Sequence, residues 1–426
     1  KFYSQEMQDI NKIIENIEDD SSIHYIQEEE DDVGHLQDLA SEAPIIKLVN
    51  VIITRAIESR ASDIHIEPFD DEVKVRYRID GVLHDVEIIP KKLQAAIFSR
   101  IKIMAKLNIA ERRLPQDGRI KLKVGGMEVD VRVSSIPILH GESIVMRLLG
   151  QQGIHINMEQ LGFPADSLVT FNKIIKNPNG IILVTGPTGS GKTTTLYGAL
   201  DKINSPDKKI ITVEDPIEYH LKGINQIQVM PQIGLDFPNI LRHIVRQDPD
   251  IIMIGEIRDL ETAEIAIQSS LTGHLVFSTL HTNDAPTAIT RLLDIGVQNF
   301  LLAATIRGIL AQRLVRVICP DCREIDKEAI KDQRTKELFA AERVTLYRGR
   351  GCEKCAYTGF LGRSGIYELL TIDPSIHSLI IKNADVQQIR EAARTNGMRT
   401  LMEDGLLKVK AGITTINEIF RATQEL

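Results

Sequence analysis

The chain has 426 residues, of which 43% are hydrophobic, enough for about two or three globular domains with real cores. Its 51 lysines and arginines against 59 aspartates and glutamates leave a net charge of -8, so no overall basic field recruits nucleic acid, although local basic patches remain open. No apolar run approaches the roughly 20 residues of a membrane-spanning helix, and no signal-peptide pattern opens the chain, so a cytoplasmic location is expected. The first residue is Lys1 rather than methionine, and a further N-terminal portion is expected before it.

Residues 1–40 are acidic and weakly periodic around Gln27-Glu28-Glu29-Glu30-Asp31-Asp32, and are read as a linker or a partial N-terminal segment. From Ser41 the pattern changes. Pro44 suits an early helical position, and Ile45, Leu48, Val49, Ile52, Ile53, Ala56 and Ile57 recur at helical spacing. Strands are expected at 63–67, 73–79 and 82–89, the last two joined by the hairpin dipeptide Asp80-Gly81. A helix over 91–107 follows, then strands at 119–124, 128–133 and 142–149, with Gly125-Gly126 turning between the first two. These make a small α+β domain, 41–149. A linker over 150–160 separates it from a larger α/β domain, 161–426, with expected strands at 181–185, 210–214, 251–255 and 275–279 and helices beginning near Lys192, Leu260 and Ala285. Short β-branched runs alternating with helices argue for a mostly parallel sheet. A cysteine module over 316–366 and a helical tail over 386–426 complete the chain.

The chemistry concentrates after the first strand of the larger domain. Gly186-Pro187-Thr188-Gly189-Ser190-Gly191-Lys192-Thr193-Thr194 fits G-x-x-x-x-G-K-T at a strand-to-helix junction. There, backbone N–H groups and the helix dipole favour a polyphosphate, Lys192 can reach the β and γ phosphates, and Thr193 can offer its hydroxyl to Mg²⁺. Glu214, Asp215 and Glu218 end the next strand, where they either serve Mg²⁺ and the attacking water or cap a surface turn. Glu256 ends an apolar strand and can polarise water for attack on the γ phosphate. Gly255 stands before it where a Walker B strand usually carries aspartate. His274 and His281 bracket a further strand. Arg242, Arg246 and Arg258 can neutralise charge on a transferring phosphoryl group, or can be solvated surface charges. Cys319, Cys322, Cys352 and Cys355 form two C-x-x-C pairs, a pattern for tetrahedral structural Zn²⁺ with no open position; disulfides are disfavoured in a reducing compartment.

GPTGSGKTT, ITVEDPIEY, RQDPDIIMIGEIRDLETAEIA and TGHLVFSTLHTNDAPTAITRLLDIG, in that order with the cysteine pairs behind them, closely resemble the type II/type IV secretion ATPases. The smaller domain joins the likeness through ASDIHIEP, VRYRIDG, RLPQDGRI, VDVRVSS and GESIVMRLL, which extends it from about Ser41 to the end. The resemblance implies a RecA-like P-loop ATPase domain with a smaller α+β N-terminal domain and a zinc-binding insertion, using ATP, Mg²⁺ and Zn²⁺. It implies that Arg132 and Arg147 reach the phosphates, that Glu214 and Glu218 belong to an acidic box, that Glu256 is the catalytic glutamate, and that His274 and His281 form a histidine box. It also implies that the glycine before Glu256 is usual, that six copies form a ring docked peripherally on an inner-membrane platform, and that a membrane-docking domain precedes Lys1. The cysteine pairs disfavour pilus retraction. AQRLVRVICPDC and RLPQDGRI look more like secretion members than type IV pilus assembly members, although NDAP also occurs in the latter.

The expected function is therefore an ATP-hydrolysing motor for type II secretion. Its rivals are a pilus assembly motor, a nucleic-acid translocase, a GTP-dependent switch, which lacks its N-K-x-D motif here, and a zinc and nucleotide scaffold without turnover.

Overall fold

The computed structural model describes residues 33–124, 127–149, 157–339 and 344–423. The acidic run from Gln27 to Asp32 and everything before it, the Gly125-Gly126 turn, residues 150–156 of the 150–160 linker, residues 340–343 and the last three residues lie outside the described residues. Two compact units emerge, one of 1–152 with 352–357 and the other of 153–351 with 358–426.

The first unit begins with helix α1 (Val33–Ser41), where a linker is expected; it forms because Leu36 and Ala40 have a core to enter and are fully buried there. Helix α2 (Ala43–Glu58) carries its proline in the first turn, where no intrahelical N–H is required, and buries Ile45, Leu48, Val49, Ile52, Ile53 and Ala56 along one stripe. Strands β1 (Ala61–Pro68), β2 (Glu72–Ile79) and β3 (Val82–Pro90) follow. Asp80 and Gly81 both take positive φ, 48° and 86°, as a two-residue hairpin turn requires. After a short 3₁₀ turn comes α3 (Gln94–Met104), then β4 (Gln116–Val124), β5 (Met127–Ile138) and β6 (Gly141–Leu149). The six strands form one antiparallel sheet in the order β3-β2-β1-β6-β5-β4. The Tyr77 hydroxyl crosses from this sheet to donate to the Ile52 carbonyl of α2 at 2.5 Å. Lys102 of α3 and Glu142 of β6 meet at 2.5 Å inside the unit, and Lys102 also donates to the Glu111 carbonyl, so the buried charges are satisfied.

The second unit alternates helices and strands: α4 (Ala165–Ile174), β7 (Gly180–Thr185), α5 (Lys192–Ile203), β8 (Ile210–Glu214), β9 (Asn225–Gln228), α6 (Phe237–Ile244), β10 (Ile251–Ile254), α7 (Leu260–Leu271), β11 (Leu275–Leu280), α8 (Ala285–Asp294) and α9 (Asn299–Thr305). Then come β12 (Ile306–Ile318), β13 (Arg323–Ile325), α10 (Gln333–Leu338), β14 (Tyr347–Gly349), β15 (Phe360–Thr371), α11 (Pro374–Ile381), α12 (Val386–Thr395), α13 (Leu401–Lys410) and α14 (Ile416–Thr423). The main sheet has the order β15-β12-β7-β11-β10-β8-β9, parallel except where β15 runs against β12. Strands β7, β8, β10 and β11 are buried at every position, as helices on both faces demand. Residues 316–318 and 360–366, assigned to the cysteine module from sequence, belong instead to the long strands β12 and β15.

Candidate active site

Strand β7 delivers the chain to Gly186 at the carboxyl edge of the parallel sheet, where open α/β sheets place their ligands. Gly186 has φ +147°, and a Cβ there would sit 2.5 Å from the Gln312 carbonyl oxygen, so no side chain is tolerated. The loop closes at Gly191, φ +86°, which caps α5. Lys192 Nζ folds back to donate to the carbonyls of Gly186 at 2.7 Å and Pro187 at 3.1 Å. Burial lowers its pKa to about 8, against the opposing pull of Glu256 and with help from Arg313. Ser190 Oγ is buried without a hydrogen-bond partner among the described residues. An orphaned hydroxyl, a partly desolvated ammonium and a glycine-lined loop at a helix N-terminus together fit a polyphosphate.

Strand β10 brings Glu256 to the same edge. The Gly255 position is tight, since a Cβ would lie 3.2 Å from the Val213 carbonyl oxygen and 3.4 Å from the Phe237 ring. Thr279 Oγ1 on β11 donates to the Gly255 carbonyl at 2.7 Å, which fixes the turn that aims Glu256. The Glu256 carboxylate meets Arg258 at 2.6 Å and His281 Nε2 at 3.6 Å. Burial, together with Lys192 and Arg258, lowers the His281 pKa despite Glu256, leaving a neutral imidazole at pH 7. The loop after β11 is pinned to β7, because Thr282 N–H donates to Thr185 Oγ1 at 2.9 Å. Lys192, Glu256, Arg258 and His281 are thus brought together by three adjacent strands.

Other expected residues lie elsewhere. Glu214 is buried, and its carboxylate accepts from Tyr197, from Thr212 at 2.6 Å and from Gln226 at 3.0 Å, which makes it the centre of a closed network. Burial first, then Glu214, pushes the Tyr197 phenol upward and keeps it protonated. Glu218 is exposed, and its backbone N–H approaches Tyr197 Oη at 3.4 Å. His274 precedes β11 and bonds through Nδ1 to the Ser269 carbonyl at 2.8 Å, beside Gly180 at the start of β7. Six strand residues at about 3.3 Å each put it roughly 20 Å from His281, so the two histidines do not share an edge. Arg242 pairs with Glu261 on α7, and Arg246 Nη2 lies 2.9 Å from His243 Nδ1; both are exposed, with partners outside the phosphate loop.

In the first unit, Arg132 and Arg147 face one another on paired strands β5 and β6. Arg147 Nε donates to Asp63 at 2.8 Å. Burial works to raise the Asp63 pKa, but hydrogen bonds from Arg147 and Ser62 outweigh it and hold the carboxyl below the usual range.

Sequence reasoning misses Gln312 and Arg313, both buried on β12. Gln312 bonds to Ser190 and Thr195, and Arg313 Nη2 donates to Asn283 Oδ1 at 2.8 Å. The available signal is a polar pair inside an otherwise apolar strand, Ile309-Leu310-Ala311-Gln312-Arg313-Leu314-Val315.

No disulfide joins the four cysteines, and their sulfurs all lie within 4.8 Å of one another. A tetrahedron of ~2.3 Å Zn–S bonds has sulfur–sulfur edges of about 3.8 Å, and Cys352 and Cys355 already stand 3.7 Å apart. The Cys352 N–H donates to Cys355 Sγ at 3.2 Å, a contact that stabilises thiolate. The donor set can hold a zinc ion.

Residues 38–421 match the family model described as type II/IV secretion system protein. The chain is 56% identical to type II secretion system protein E of Xanthomonas campestris pv. campestris, over 100% of this chain and 74% of that protein. It is 48% identical to type II secretion system ATPase E of Vibrio cholerae, over 99% and 84% respectively. Type IV pilus assembly ATPase PilB of Myxococcus xanthus is 47% identical, over 98% and 74%. Among solved structures, the pilus retraction motor PilT with bound ADP superposes with a TM-score of 0.57 at 28% identity, covering 88% of this chain and 97% of PilT.

Proposed function

This chain belongs to the type II/IV secretion system protein family and is an ATPase of type II secretion; we propose that six copies form a ring whose hydrolysis cycle drives pseudopilus assembly at an inner-membrane platform. The observation that carries the enzymatic part is the convergence of Lys192, Glu256, Arg258 and His281 at the sheet edge beside the phosphate loop. Lys192 leaves the Gly186 and Pro187 carbonyls to meet the phosphates. Glu256 orients and accepts a proton from the attacking water, with neutral His281 as a hydrogen-bonding neighbour. Thr193 would hold Mg²⁺ through its hydroxyl, and the bound ion would supply positive charge to offset that of the phosphates. Positioning and charge stabilisation of this kind account for most of the acceleration in phosphoryl transfer.

The domains at 41–149 and 161–426 act as the two bodies that hydrolysis moves, and Arg132 and Arg147 on the first answer the charge of the nucleotide. The cysteine cluster holds one structural Zn²⁺. The protein works on the cytoplasmic side, held at the membrane by its platform partners. The identity to the pilus assembly ATPase supports pilus extension as a second reading.

Purified protein should hydrolyse ATP, with binding retained and turnover reduced about 10²- to 10⁴-fold in Glu256→Gln. Unchanged turnover in that variant removes Glu256 from the mechanism. DNA-stimulated hydrolysis points instead to a translocase, and tighter GTP than ATP binding to a switch.

A further inference from the structure

Strand β7 lies between β11 and β12, so the phosphate loop has two walls. The β11 wall carries His281. The β12 wall places Ala311 opposite Thr185 and therefore Gln312 beside Gly186. Gln312 is only 2% exposed, and an amide in that position costs free energy unless both ends are bonded. Both are: Oε1 accepts from Thr195 Oγ1 at 2.7 Å, and Nε2 donates to the Ser190 carbonyl at 2.8 Å. Its backbone carbonyl packs against Gly186, and Nε2 stands where a Cβ on Gly191 would come within 2.8 Å. One side chain with its own backbone thus grips the entry of the loop, its apex, its exit and the first turn of α5.

The loop binds phosphate chiefly through backbone N–H groups, whose directions depend on this closed shape. We propose that Gln312 is a positioning residue that presets the phosphate loop, setting nucleotide affinity rather than the rate of the chemical step. Neither of its side-chain hydrogen bonds goes to Glu256, Arg258 or His281, so its removal leaves the contacts of the hydrolytic groups in place. This role rests on the nucleotide reading of the loop.

The test is Gln312→Leu, which keeps the volume and removes both bonds, alongside Thr195→Val, which removes one. ADP and ATP affinities are measured by titration calorimetry, kcat at saturating ATP, and the melting temperature of nucleotide-free protein. Two lost buried hydrogen bonds should weaken nucleotide binding about tenfold or more in Gln312→Leu and by less in Thr195→Val. Saturated kcat should stay within about threefold, and the double variant should bind no worse than Gln312→Leu. Wild-type affinity in Gln312→Leu, a fall in kcat with affinity intact, or additive losses in the double variant overturns the role. If Gln312→Leu does not fold, full affinity in Thr195→Val overturns it by itself. Failure of the wild-type protein to bind ADP or ATP would instead overturn the nucleotide reading beneath it.

Discussion

Raising the pH from 7 to 9 should weaken ADP binding through one group, Lys192. Its ammonium is partly desolvated and donates to the Gly186 and Pro187 carbonyls, and burial brings its pKa to about 8 without nucleotide. Phosphate oxygens at the loop place negative charge beside it and hold it protonated in the complex. A base whose pKa rises on binding contributes full affinity below its free pKa and loses it as pH climbs past that value. The protonated fraction of free protein falls from about 0.9 at pH 7 to about 0.1 at pH 9, so affinity should fall roughly tenfold, with close to one proton taken up per ADP at pH 9. His281 lies close by, but its pKa in the free protein is lowered from the ordinary imidazole value, and the last phosphate ionisation, near 6, is complete. Calorimetry at pH 7, 8 and 9 in buffers of different ionisation enthalpy measures both quantities. Lys192→Arg, permanently charged, should show no slope. A flat wild-type profile, or the same slope in Lys192→Arg, refutes the reasoning.

Glu368 on β15 accepts from the Ala285 N–H at 2.8 Å, and burial, helped by Asp284 and opposed by Arg390, raises its pKa to about 7. A raised carboxyl contributes stability that is full below about pH 4.5 and lost as pH rises through 7, a change of about 3 kcal/mol. Glu368→Gln should therefore gain stability relative to the parent between pH 5 and 7.5 in urea unfolding; an unchanged difference counts against it. For the cysteine cluster, protein purified without chelator should contain one Zn²⁺ per chain, and its removal should lower the melting temperature by several degrees. Metal analysis well below one, or an unaltered melt after chelation, rejects four-thiolate coordination.

What could be read from the chain was local. The β7-loop-α5 junction, the Asp80-Gly81 hairpin and the helices starting near Leu260 and Ala285 follow from short-range sterics, since glycine placement, caps and apolar period act over a few residues. Asp259 and Asp284 indeed cap α7 and α8 through their side chains. Less legible were β12 and β15, which pair antiparallel at the sheet edge although about forty residues separate them, among which β13 and β14 pair in a two-stranded sheet of their own. Their partners are far apart in sequence, and periodicity does not encode who pairs with whom.

The same limit applies to the site. Sequence by itself determined the phosphate-loop pattern, the strand that leads to Glu256, the two C-x-x-C pairs and the family, because each is a fixed pattern of neighbouring residues. Only the tertiary structure decided which charges meet. It joined Glu256 to Arg258 and His281, enclosed Glu214 with Tyr197, sent His274 to the opposite sheet edge, buried Lys102 against Glu142 and set Gln312 behind the loop. Those outcomes depend on sheet order and burial, and a charge or amide takes its role from what the fold leaves beside it once water is excluded.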